Sequence, residues 1–335
     1  MDDMRKWRPF GIKNRYWILL FIVLGFIGAR LYWPVLPHIQ LPAEPYSDTP
    51  LFTLPIIGPF YWTNTLTATV IADVILILIA LGVRRAISSG KLVPSGITGM
   101  LEAILEGIFN LTETTAGRWA KTIFPFFATI TLLVLVVNWM ELIPGVDSIG
   151  FLELSEHGYP VEQILPNVFT IVKEGSEQGA EASHIADLFT VIPFVRVAST
   201  DLNFTVALAL ISVFMVQVIG YRALGGSYFT KFINVKGIFS RPIFGVIDFG
   251  VGLLELISEI SKILSFSFRL FGNIFAGSVL LFVIGSLVPV FFQSPFLMLE
   301  FFVGIIQALV FGMLTMVFMA QATAGHGEHD EGHAH

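Results

Sequence analysis

The chain has 335 residues, is 55% hydrophobic and only 13% charged, and has a mean hydropathy of +0.78, whereas soluble domains carry roughly 25% charged residues. That composition excludes a soluble globular protein and predicts an all-α integral membrane protein. A net charge of -6 without a Lys/Arg stripe excludes a nucleic-acid partner, and the absence of cysteine excludes disulfides, thiolate metal sites and Cys nucleophiles.

Arg5, Lys6, Arg8, Lys13 and Arg15 form a basic lead before the segment 16–33, which is apolar up to Arg30. A signal peptide begins in the same way, but no small-x-small cleavage site follows, so the segment reads as an uncleaved first span. Prolines 34, 37, 42, 45, 50, 55 and 59 then mark an extended loop that completes an N-terminal region, 1–61. A second span at about 62–83 holds one acid, Asp73, and is closed by Arg84, Arg85 and Lys91. From about 94 to 118, Glu102, Glu106, Asn110 and Glu113 share one helical face opposite Ile97, Leu101, Ile104, Leu105 and Ile108. That pattern predicts an amphipathic helix at the interface rather than a span.

A third span, about 122–143, ends in Asn138-Trp139-Met140-Glu141. It leads into a segment, 145–198, with eight acids (Asp147, Glu153, Glu156, Glu162, Glu174, Glu177, Glu181, Asp187) against Lys173 and Arg196. This insertion is expected to be solvated, non-cytoplasmic and part helical. A fourth span, about 200–221, opens on Ser199-Thr-Asp201-Leu-Asn203 and exits at Arg222, Lys231, Lys236 and Arg241. The cations of the lead, the 84–91 turn and the 222–241 loop place those regions and both termini on the cytoplasmic side. The tail, 322–335, is low-complexity. Its histidines could hold a metal weakly, but composition favours a solvated, disordered end, so neither metal nor cofactor is expected.

Residues 243–284 form an apolar segment without proline, and an unbroken helix there would run roughly 60 Å, about twice the hydrocarbon thickness. Either it breaks near Gly250, Gly252 or Gly272, or it lies at about 60° to the membrane normal, beyond the usual range of tilt. A second segment, about 296–321, returns after the Pro289-to-Pro295 turn. With about 100° per residue and Glu255 as zero, Glu259 lies near +40°, Lys262 near -20°, Arg269 near -40° and Asn273 near 0°, one stripe about 27 Å long. Glu300 and Gln307 similarly share a face of the returning helix. Arg269 is the most informative of these residues, because a guanidinium keeps its proton and costs from about 3 to over 10 kcal/mol at bilayer depth. Apolar sequence runs far on both sides of it, which disfavours a snorkelling helix-end arginine. Facing polar stripes describe proton-relay side chains and aqueous half-pathways. The alternative is interhelical hydrogen bonding, worth about 0.6 kcal/mol per contact.

The run Glu255-x3-Glu259-x-Ser261-x3-Ser265-x3-Arg269-Leu-Phe-Gly-Asn273-x2-Ala-Gly277, followed by Gln307-Ala-x2-Phe, resembles the two carboxy-terminal helices of subunit a of the rotary F-type ATP synthase. The resemblance extends through Asn138-x2-Glu141 and Ser199-x-Asp201-x-Asn203 and covers most of 62–321. It implies about six membrane helices plus the interfacial one, the last two long and steeply tilted as a hairpin against a ring of c subunits. It also implies b-type peripheral stalk subunits, other ATP synthase subunits and lipid as partners, no catalytic role for this chain, and residence in a bacterial plasma membrane more readily than in an organelle. By position Arg269 corresponds to the essential stator arginine. Glu255, Ser265, Asn138 and Glu141 match half-channel or stator-surface positions, Asn273, Glu300 and Gln307 match the non-cytoplasmic inlet, and Glu259, Asp201 and Asn203 fall within the matched motifs. Many members carry an acid where this chain has Ser278 and a His where it has Glu300, so the inlet acid is expected on the other helix. The 16–33 span is additional to five-span members. A secondary transporter using Arg269 to bind an anionic substrate is the competing reading, although the paired repeats and broken helices common in such proteins are not evident. No His-Glu-x-x-His or Gly-x-Ser-x-Gly motif supports a membrane hydrolase.

Overall fold

The computed structural model describes residues 14–31, 42–47, 49–55, 58–88, 96–172, 188–232, 242–287 and 293–324. The basic lead up to Lys13, Lys91, the middle of the acidic insertion, residues 233–241 of the 222–241 loop, residues 288–292 and the tail beyond 324 lie outside them. Seven α-helices are present among the described residues: α1 Asn14–Leu31, α2 Asn64–Ser88, α3 Ile97–Ala116, α4 Ala120–Met140, α5 Leu202–Leu224, α6 Pro242–Leu287 and α7 Gln293–Thr323. Each expected span is a helix within a few residues of the boundaries read from apolar length. Five stretches are long and apolar enough to cross a membrane: Asn64–Arg85, Gly99–Met140, Leu202–Phe229, Phe249–Leu287 and Gln293–Thr323. Helix α1, at the first expected span, falls outside these five.

The amphipathic reading of α3 matches its burial. Glu102, Glu106, Asn110 and Glu113 are exposed, while Ile108 is buried in a core cluster with Ile123, Phe127 and Ala128 of α4, Val216 and Ile219 of α5, Tyr228, and Met316, Met319 and Ala322 of α7. Ile104, placed on the apolar face by its spacing, is 41% exposed. Helices α4 and α7 meet through small residues at four-residue spacing, Gly304, Ala308 and Gly312. A Cβ on Gly304 would lie 3.2 Å from Trp139 Cδ1, and one on Gly312 would overlap Thr131 Oγ1. Glycine is therefore what lets these helices approach closely, the usual basis of helix association where lipid removes the hydrophobic drive.

Helix α6 decides between the two alternatives left open by its length. It runs 46 residues without interruption, so it does not break at Gly250, Gly252 or Gly272. The described residues of the acidic insertion form strands, and the helical part expected of it falls to 173–187, outside the described residues. Strand β4 (Gly150–Tyr159) pairs antiparallel with β7 (Phe189–Pro193), and β5 (Val161–Leu165) with β6 (Val168–Ile171), after a short β3 (Pro144–Asp147). Val168-Phe-Thr-Ile171 and Phe189-Thr-Val-Ile192 are β-branched and aromatic, which suits a pleated surface. Pro166-Asn167 supplies the tight turn between β5 and β6, with Asn167 at φ 65. Strands β1 (Phe52–Leu54) and β2 (Gly58–Phe60) make a third small hairpin ahead of α2, with Phe52 stacked on Phe60 at 4.8 Å.

The chain divides into two compact units. One groups Pro144–Phe194 with Ala276–Phe302 and the N-terminal 40 residues, and the other contains Leu41–Ile143, Val195–Phe275 and the remainder from Val303. The first unit thus groups the acidic insertion with the end of α6 and the start of α7, regions that charge counting assigns to the same side of the membrane.

Candidate functional site

The side chain of Arg269 is exposed on α6. Its Nη2 donates to Ser265 Oγ at 3.1 Å, one helical turn back. Phe266, Leu270 and Ile274 lie on the buried face of the same helix, so the guanidinium sits beside the packed face and is directed away from it. Ser258, Ser261, Ser265 and Ala276 share that exposed side. Ser261 Oγ donates to the Ile257 carbonyl at 2.9 Å, which satisfies its hydroxyl within the helix and leaves a small, low-relief ridge.

Two to three turns from Arg269 toward the start of α6 the stripe becomes buried. Glu259 is 6% exposed, and Lys262 Nζ donates to its Oε1 at 2.8 Å. The same ammonium stands 4.7 Å from the centroid of the Phe318 ring on α7, a cation–π contact that shields the pair. Glu255 is half-buried and Asn273 exposed.

Helices α6 and α7 pair as a hairpin, with partners receding along one helix as they advance along the other: Phe266 meets Phe311 at 5.3 Å between centroids, and Gly285 meets Gln293. Glu300 takes its place in the same register opposite Gly277, and a Cβ at 277 would overlap both carboxylate oxygens. Glu300 is 7% exposed and its Oε2 has no hydrogen-bond partner among the described residues. A carboxyl group placed there can exchange a proton when a partner arrives. Ser278 is buried beside Gly277, and Gln307 is half-buried two turns beyond Glu300.

The remaining sequence-derived residues serve as joints. Asn138 Nδ2 donates to the Gly304 carbonyl at 3.3 Å, and its Oδ1 accepts from Ser199 Oγ at 2.7 Å. Asp201 caps α5 by accepting from the Asn203 backbone N–H at 2.9 Å, and its other oxygen accepts from Thr65 Oγ1 at 2.9 Å. Asn203 is therefore held by its backbone, with its side chain exposed, and Glu141 is half-buried at the end of α4. The structure brings together Ser265 with Arg269, Asn138 with Ser199 and Gly304, and Asp201 with Asn203 and Thr65. Sequence reasoning left out Gly304, Thr65, Phe318 and the pairing of Gly277 with Glu300; only the last carries a one-dimensional signal, the equal distance of both residues from the proline-marked turn.

Apolar helices of spanning length, the last two carrying ionisable groups within their apolar stretches, define a polytopic α-helical membrane protein. A protein-family model, ATP synthase A chain, matches residues 65–320. The chain is 30% identical over 212 residues to ATP synthase subunit a of Mycobacterium bovis, covering 62% of this chain and 64% of that protein. It is 28% identical over 182 residues to ATP synthase subunit a of Nitratiruptor sp., covering 54% and 55%. With ATP synthase subunit a of Geobacter sulfurreducens the identity is 40% over 72 residues, covering 22% and 30%. The matched stretches cover less than two thirds of each relative's own length. The chain belongs to the ATP synthase A chain family, the a subunits of the F-type ATP synthase.

Proposed function

We propose that this chain is the proton-translocating, non-catalytic stator subunit of a bacterial F-type ATP synthase, and that Arg269 drives proton exchange on a ring of c subunits passing beside α6. The observation that carries the reading is an unbroken 46-residue helix presenting one guanidinium on its exposed side. At 1.5 Å per residue α6 is about 69 Å long against a hydrocarbon thickness of about 30 Å. It therefore lies steeply and rests along a large partner surface, and the small residues beside Arg269 allow close approach. A b-type stalk and the other synthase subunits complete the assembly in the plasma membrane.

Charge physics supplies the mechanism. A ring carboxyl must be neutral while it faces lipid, because burying its ion is costly. Beside Arg269 an opposite charge within about 4–6 Å lowers a carboxylate pKa by 1–3 units, so the proton leaves there. Glu300, with Asn273 and Gln307, delivers protons from the non-cytoplasmic side, and Glu255, with the Glu259–Lys262 pair behind it, receives them on the cytoplasmic side. Asn138 and Asp201 hold the helices that frame these paths, with Glu141 and Asn203 beside them. Arg269 keeps its own proton, so it separates the two half-channels instead of relaying between them. Each charge crossing is driven by about 2.3 kcal/mol per 100 mV.

Arg269→Ala is expected to abolish ATP synthesis driven by an imposed gradient in membrane vesicles while the complex still assembles. Near-normal synthesis by that variant would overturn the reading.

A further inference from the structure

Helix α2 carries a charge that neither the family assignment nor the proton path uses. Asp73 is exposed, and among the described residues no hydrogen bond or ion pair reaches it. It lies nine residues inside α2, about 14 Å from the end at Asn64, and so near the middle of a hydrocarbon layer about 30 Å thick. Aspartate has a single methylene and cannot snorkel to either surface from there. Ionisable side chains at such depth characteristically face a partner rather than lipid.

The surface around it has the form of a helix-packing seam. Val70, Asp73, Ile77, Ala80 and Arg84 follow one another at spacings of three and four residues, and all are exposed. That is the repeat with which a second helix packs at a shallow crossing angle. The opposite face of α2 is the occupied one, where Thr65, Ala68 and Ala72 are buried. Only 11% of the most apolar window of α2 is buried, against 28–50% in the other four candidate spans.

Charge complementarity decides the occupant. The chain's own first span has no cation between Tyr16 and Ala29, and Arg30 stands near its outer end, far from the depth of Asp73. We propose that the exposed face of α2 receives a transmembrane helix of another subunit, and that a lysine, arginine or histidine on that helix meets Asp73 near mid-membrane. Apolar contacts along the seam supply most of the attraction. The charge pair sets depth, register and choice of partner, because a helix without the cation would leave the carboxylate uncompensated.

This inference uses the membrane placement of α2 and is independent of how Arg269 works. A photo-crosslinking amino acid placed at Ile77, with Asp73 intact, is activated in the assembled complex in native membranes, and the joined peptides are identified by mass spectrometry. The expected adduct is an apolar segment of another subunit with a basic residue within one turn of the crosslink. Adducts only to lipid, or only to residues 14–31 of the same chain, overturn the proposal. In parallel, Asp73→Asn should lower retention of the crosslinked subunit in detergent about 3- to 20-fold, the effect of one polar interhelical contact in lipid. Asp73→Lys combined with the partner's basic residue changed to Asp should restore it. Unchanged retention in Asp73→Asn, or no recovery in the exchanged pair, also overturns the proposal, whatever the result for Arg269→Ala.

Discussion

Glu300 and Gly277 show how one side chain can depend on the absence of another. Glu300 is buried with one oxygen unpaired among the described residues, and it fits only because its neighbour across the hairpin is glycine. Glu300→Gln keeps the volume but removes the exchangeable proton. It is expected to slow passive proton flow through reconstituted membrane sectors by about a hundredfold, the low end for a positioned acid–base group, with the complex intact on native gels. Gly277→Ala should impair the same flow by displacing the carboxylate, and shortening the acid in a Gly277→Ala/Glu300→Asp double variant should recover part of it. Unchanged flow in both single variants would remove Glu300 from the path. Arg269 and its bond to Ser265 belong to the same scale, and here the sequence was informative: a permanent cation within a long apolar run needs no coordinates to be noticed. The contact of Lys262 with Phe318 was not legible, because it joins two helices through a ring that looks like any other apolar residue in the sequence.

Among elements, the helices were legible and their joints were not. Apolar length and the clustered cations placed every span within a few residues. The continuity of α6 was left open, because glycines at 250, 252 and 272 could break a helix or merely cross it, and spacing alone does not choose. The joint between α4 and α7 shows what decides such matters in three dimensions. Asn138 ties both α7 and the segment at Ser199 to α4, and Gly304 and Gly312 allow the helix axes to approach. Gly304→Leu would drive a side chain into Trp139 and part the helices. It is expected to lower the thermal aggregation temperature of the purified complex, whereas Leu309→Ala, on an exposed side of α7, should leave it within error; equal effects would refute this packing. The strands after α4 were not legible because they are short and mostly half-exposed, with no clean alternation of apolar and polar residues for a period-two pattern to reveal.

At the level of the whole chain, the charge count makes a claim about sidedness that the lack of cysteine renders easy to test. Asn167, at the β5–β6 turn, and Ser227, after α5, are both exposed and assigned to opposite sides of the membrane. A membrane-impermeant maleimide should label Asn167→Cys in intact cells and Ser227→Cys only after permeabilisation, and the reverse pattern would invert the topology. The continuity of α6 also bears on how tightly Arg269 would hold an anion in the proposed mechanism. Transporters that bind anions at mid-membrane often do so with the open ends of interrupted helices, where free backbone N–H groups and the helix dipole reinforce a side chain. Around Arg269 every amide lies inside a continuous ladder, and the dipole acts only at distant termini. In the proposed mechanism a visiting ring carboxylate would therefore meet a single adjustable grip with no backbone cradle, strong enough to take its proton's place and weak enough to release it as the rotor moves on.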